Sequence, residues 1–142
     1  MARRKFLAKV VRVSLYDDMG GEPALRVVLR DLYDRLFVDP MVGFLFEGKD
    51  KEKLIEHQLR FTARFLGGPS AYEGKSMPDA HAHLPLLAGH FDRRHHLLRQ
   101  VLAAHAVPEN VANEWLRVDQ SLRTAVLKSG EEARARARRA SD

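Results

Sequence analysis

Apolar residues along this chain recur at helical intervals, and no segment alternates in the way a half-buried strand would. The first clear stripe follows Gly20-Gly21, where Pro23 suits the first turn of a helix. At roughly 100° per residue, Leu25, Val28, Leu29, Leu32 and Leu36 share one face. Tyr33 sits on the shoulder of that face, and Arg26, Arg30 and Asp34 lie opposite. Asp39-Pro40 predicts the helix end, and Met41–Phe46 reads as a short apolar link carrying Phe44, Leu45 and Phe46. A second helix is predicted from Lys51 to Leu66, stopped by Gly67-Gly68-Pro69. Its apolar face holds Leu54, Ile55, Leu59, Phe61, Phe65 and Leu66, with Gln58 in the middle, Thr62 beside it and His57 at the edge.

Residues 70–87 are broken by Gly74, Pro78 and Pro85, which allow only short helical turns around His81. A third long helix is predicted from Gly89 to His105. A fourth runs from Pro108 to Lys128, with Val111, Trp115, Val118, Leu122 and Val126 as its stripe and Trp115 as a core residue. The pattern therefore predicts an all-α domain with one long irregular connection, which an up-and-down bundle would not need.

Composition narrows the chemistry more than the fold. At 142 residues the chain is long enough for one domain with its own core. It has no cysteine, which excludes disulfides, thiolate metal sites and thiol nucleophiles. No apolar run approaches the ~18 residues of a membrane span, and the start lacks a signal peptide's apolar stretch, so the expectation is a cytoplasmic protein. The net charge of +5 is local: residues 1–12 carry Arg3, Arg4, Lys5, Lys9 and Arg12 with no acid, and the remainder balances. A basic arm on a neutral domain is a weak footprint for nucleic acid, and no specific nucleic-acid partner is expected. Residues 129–142, built of Ala and charge, read as a frayed helical extension or a disordered tail. The expected organisation is an arm over 1–13, a domain over 14–128 and a charged tail over 129–142.

Seven histidines invite a metal, yet no zinc-type spacing is present, and there is no phosphate-binding glycine loop or nucleophile elbow. Read from residues alone, the chain is a helical domain with a Tyr and a Gln directed toward its interior and a His in an irregular segment. Gln58 is either part of a hydrogen-bonding site or a satisfied structural polar group.

The order of several short motifs adds a family. Ser14–Gly21 (SLYDDMGG) resembles the opening of the truncated globins, in which a Gly-Gly pair turns a short first helix into the second. Asp31-Leu32-Tyr33, Phe44-Leu45-Phe46, His57-Gln58-Leu59-Arg60-Phe61, Phe65–Pro69, Tyr72-Glu73-Gly74, Met77–His81 and His90-Phe91-Asp92 follow in the family's order over residues 14–127. The chain is similar to group I of that family, which implies a two-over-two helical sandwich around heme b. In that register His81 is the proximal iron ligand, and Tyr33 and Gln58 lie on the gas-binding side. Phe46 and Leu54 contact the heme, while Lys53 and Tyr72, with Lys49, are placed as partners of its propionates. Such a His needs a segment free to aim its ring, which suits the Pro- and Gly-flanked stretch. His83, His90, His95, His96 and His105 lack the matching position and read as structural or exposed.

The resemblance implies O2 binding at ferrous iron, with NO and CO as further ligands. It extends to NO dioxygenation, for which an unidentified reductase would have to return ferric iron to ferrous. His57 carries an alternative, because in some members a side chain at the matching position binds the iron. The protein would then be a six-coordinate redox or peroxidase-like heme protein. A remote alternative from another class is a cofactor-free helical module touching RNA or membrane through its arm. Arg94 departs from the pattern: it falls among Phe91, Leu97, Leu98 and Val101. A buried guanidinium there must snorkel to the rim or reach a propionate or an acid.

Overall fold

The computed structural model describes residues 14–69 and 86–141, and within them all regular structure is helical. A four-residue helix α1 (Leu15–Asp18) is followed by α2 (Gly21–Val38), a 3₁₀ turn over Gly43–Phe46, and α3 (Lys51–Phe65). After the undescribed stretch come α4 (Ala88–Ala104), α5 (Glu109–Ser121) and α6 (Arg123–Ser141). Among the described residues no helix is long and apolar enough to cross a membrane.

Local signals set the element ends. Ser14 caps α1 by accepting from the Asp17 N–H, and the Asp17 side chain accepts from the Ser14 N–H in return. Gly20 and Gly21, at φ of 108° and 71°, then turn the chain into α2 in a conformation that residues with a Cβ rarely adopt. At the far end of α2, Asp39 accepts from the Met41 and Val42 N–H groups and folds the Asp-Pro corner back toward the 3₁₀ turn. Asp50 caps α3 through the Lys53 N–H.

The stripes predicted from periodicity meet in one core. Leu25, Leu29, Leu32 and Leu36 of α2 have no exposed surface, and they pack with Ile55 of α3, Leu98 and Val101 of α4, and Val111 and Trp115 of α5. Helix α2 lies against both α3 and α4, and α4 lies against α5. Two helix pairs, α2 with α3 and α4 with α5, therefore face each other. The separation that this leaves around the outer part of α3 is what positions the site.

Two expectations need correction. The predicted single helix from Pro108 to Lys128 is interrupted at Leu122, whose N–H donates to the Asp119 carbonyl in a tighter turn before the helix resumes at Arg123. The low-complexity tail is helix as far as Ser141, and its beginning is docked rather than frayed. Val126, Ser129, Gly130 and Ala133 are buried. Gly130 passes so close to the Leu86 backbone that a Cβ would stand 2.5 Å from the Leu86 carbonyl oxygen. Arg134 also donates a hydrogen bond to that oxygen. Hydrophobic periodicity could not show this, because small residues make the contact.

Candidate functional site

A cavity of about 230 Å³ lies between the α2, 3₁₀ and α3 side and the α4, α5 and α6 side. Its walls are mainly apolar: Leu36, Leu45, Phe46, Leu54, Phe61 and Phe65 from one side, and Phe91, Val118 and Val126 from the other. Phe46, Leu54, Phe61 and Phe65 are only half-buried although they belong to the interior side of their elements. Their rings are ordered among themselves. Phe46 meets Phe37 at 5.0 Å and stands edge-on to Tyr33, while Phe65 lies edge-on to both Phe61 and Trp115.

Polar groups enter this apolar space at few points. Tyr33, on the shoulder of the α2 stripe, is buried at the cavity. Burial pushes its hydroxyl pKa above the ordinary phenol value, against an opposing pull from the neighbouring Arg94 cation. Gln58 lines the cavity from α3, and its Nε2 donates to the buried Thr62 Oγ1 at 2.9 Å. That bond fixes the amide while leaving its second N–H and its oxygen for other partners. His57 and Lys49 stand at the exposed rim.

Arg94 reaches an acid rather than the rim. Its Nη1 donates to Asp119 Oδ1 at 2.6 Å, and His95 Nδ1 lies 2.7 Å from the other carboxylate oxygen. Burial opposes the Asp119 charge, but the Arg94 cation and the His95 hydrogen bond outweigh it and hold the carboxyl below its usual range. Burial likewise opposes the Arg94 charge, and Asp119 and then Tyr33 more than offset it. The result is a polar cluster joining α4 and α5 at the inner end of an apolar cavity.

The structure brings Tyr33, Phe46, Leu54, His57 and Gln58 to one cavity. Lys53 is exposed and stands outside the cavity wall, whereas Lys49 lines it. His81 and Tyr72 lie outside the described residues. His90 and His105 have structural partners: His90 Nδ1 accepts from the Leu87 N–H at the start of α4, and His105 pairs with Asp31. Sequence reasoning does not single out Asp119. The available signal is a lone carboxylate one turn after Trp115 on an otherwise apolar stripe.

A family model for bacterial-like globins matches residues 14–128. A group 1 truncated hemoglobin of Nostoc sp. is 34% identical over 114 residues, covering 80% of this chain and 97% of that protein. The chain belongs to the truncated hemoglobins. A second member of group 1, from Tetrahymena pyriformis, is 31% identical across 80% of this chain and 94% of its own length. Among solved structures, the Fe(III) form of the Tetrahymena pyriformis protein matches with a TM-score of 0.74 at 30% identity, covering 81% of this chain and 98% of that one. A Synechococcus 2/2 hemoglobin, in the cyanomet state with covalently attached heme, matches with a TM-score of 0.77 at 28% identity, covering 82% and 99%. The facing helix pairs are thus the two-over-two arrangement of this family.

The residues present fit a heme. Half-buried Phe46, Leu54, Phe61 and Phe65 present apolar surface to the cavity, which suits a flat aromatic macrocycle. Lys49 and His57 at the rim suit the charged edge of such a group, and the inner end offers hydrogen-bond donors.

Proposed function

We propose that the cavity is the O2 site of this heme protein, with the iron carried by His81 and the gas met by Tyr33 and Gln58. The heme, when bound, supplies a ferrous iron that takes O2, NO or CO reversibly. The observation that carries the reading is the placement of Tyr33 and Gln58 in one apolar cavity of a globin-family chain. A hydroxyl buried there has no bulk water to satisfy it, so its proton is available to a ligand that accepts hydrogen bonds. A phenol already keeps its proton at neutral pH, and burial of Tyr33 shifts it further in that direction. Gln58, steadied by Thr62, adds a second donor from α3. The phenylalanine and leucine walls keep water from the same space, and Lys49 and His57 hold the charged edge of the heme at the rim. NO dioxygenation belongs to the same proposal. NO and O2 are consumed, nitrate is formed, and an electron from a separate reductase restores the ferrous state.

The test is hemin titration of the full chain followed by absorption, beside His81→Ala and Tyr33→Phe. The wild type should take up one heme with a sharp Soret band, and His81→Ala should lose that band or broaden it. Tyr33→Phe should retain heme but release O2 faster by about 10- to 100-fold, the worth of one strong hydrogen bond. Absence of heme uptake by the wild type would refute the reading. An undisturbed spectrum in His81→Ala would remove His81 as the ligand.

A further inference from the structure

We propose that Arg94 is a positioning residue for gas binding: held by Asp119, it fixes the direction of the Tyr33 O–H and leaves that proton turned toward the bound ligand. This rests on the heme reading and names what orients the donor on which that reading depends.

The setting of Arg94 is the first ground. It lies on the inward face of α4 between Phe91 and the buried Leu97, Leu98 and Val101, where an apolar side chain would pack without penalty. An ion pair set here adds little net stability over well-packed apolar residues, so stability alone does not account for it. What the pair does is join three helices at one point. Arg94 Nη1, on α4, donates to Asp119 Oδ1, on α5, at 2.6 Å, and Arg94 also donates to the hydroxyl of Tyr33 on α2. The buried Asp119 is itself fixed, because His95 Nδ1 lies 2.7 Å from its other oxygen and the His95 ring is stacked on Phe91. Tyr33, Arg94 and Asp119 all line the cavity.

The second ground is what this does to the phenol. The Tyr33 ring is buried and stands edge-on to Phe46 at 6.2 Å, which leaves the hydroxyl torsion as its main freedom. A guanidinium offers donors and no acceptor, so a hydroxyl proton gains nothing by facing it. Once Arg94 occupies one side of the oxygen, the proton is left on the side away from it. Donation from a cation also draws charge from the oxygen, and a phenol polarised in this way is a stronger donor to its next acceptor. Asp119 balances the cation, so the cavity gains an oriented O–H without an unpaired charge. A donor aimed beforehand needs no reorganisation when a ligand arrives.

The experiment uses the heme-loaded full chain, with the C–O stretch of its ferrous CO form read by infrared absorption and O2 release followed beside it. Arg94→Met should move the wild-type stretch, or add a band, toward the frequency of Tyr33→Phe, and should speed O2 release by about 3- to 10-fold. In a Tyr33→Phe background the same change should alter neither. Should Arg94→Met fail to fold because Asp119 is left unpaired, the double variant Arg94→Met with Asp119→Leu replaces the whole pair by apolar groups and is read in the same way. In urea unfolding of the heme-free chain, the losses caused by Arg94→Met and Tyr33→Phe should not add, since both remove one bond; additive losses would contradict that bond and overturn the proposal. A wild-type stretch and O2 release rate in the Arg94 variant would also overturn it, leaving the pair as a clasp between α4 and α5. An effect that persists in Tyr33→Phe would overturn it too, because Arg94 would then act without the phenol. A wild type with no Soret band refutes the heme reading, and this inference with it. Stoichiometric heme uptake with an unmoved stretch refutes this inference alone.

Discussion

Helices α2 and α3 have similar amphipathic patterns and different fates. Every residue of the α2 stripe, Leu25, Val28, Leu29, Leu32 and Leu36, is sealed in the core. The apolar face of α3 is divided between two neighbouring rows. Ile55, Leu59, Thr62 and Leu66 are buried, whereas Leu54, Gln58, Phe61 and Phe65 are half-buried and line the cavity. One helix is scaffold throughout; the other is scaffold along one row and pocket wall along the next. The difference shows where a fold keeps its binding energy. Apolar surface that the described residues leave open is available to a ligand that can close it.

The comparison can be broken most forcefully at α2. Leu32→Ala should cost about 2–5 kcal/mol in denaturant unfolding, because a fully buried leucine leaves both lost transfer energy and a cavity. That cost should be the same with or without heme. A cost below 1 kcal/mol, as expected for an exposed site, would show that α2 is not the sealed element described here.

Next comes the corner where α2 is tied to α4. Asp39 Oδ1 accepts from Arg93 Nε and Nη2, and its Oδ2 accepts from the Met41 and Val42 N–H groups. Asp39→Asn should cost about 1–3 kcal/mol at neutral pH, the range for hydrogen bonds to a charged group. The Arg93 hydrogen bond, working against burial and aided by the two backbone bonds, holds the carboxyl below its ordinary range. A depressed folded pKa means that the unfolded chain binds the proton more readily. The stabilisation is therefore complete above the unfolded value of about 4 and is lost as pH falls through the lower folded value. Unfolding free energies of wild type and Asp39→Asn should accordingly converge only in acid below about pH 4, and a gap that held constant there would contradict the ion pair.

The smallest effect on the fold, and the sharpest contrast, belongs to α3. Leu54→Ala should cost the heme-free protein only about 1 kcal/mol, since the side chain is half-exposed. The same change should speed heme loss by about tenfold, measured by transfer to an apoglobin acceptor. An apoprotein cost equal to that of Leu32→Ala would erase the distinction between the two helices.

Much of this is legible in the sequence. Periodicity located α2, α3 and α4 closely, because each is bounded by Gly or Pro and carries an unbroken stripe. Gly20-Gly21 announced the tight turn into α2, since few other residues tolerate the positive φ found there. Tyr33 and Gln58 stood out as polar groups on apolar faces, and the order of the motifs pointed to the family. The break at Leu122 was hidden, because the stripe runs through it without a Gly or Pro. The docking of α6 was hidden as well, because Ser129, Gly130 and Ala133 make a close contact without apolar bulk.

By itself, then, the sequence determined the helices, the core stripes and the types of residue that could meet a heme, since these depend on local period and side-chain chemistry. Only the tertiary structure decided which half of the α3 face stays open, that Lys49 rather than Lys53 stands at the rim, and that Arg94 finds Asp119 twenty-five residues away. Those outcomes depend on how helices are set against each other. A pair formed across two helices has no period to betray it.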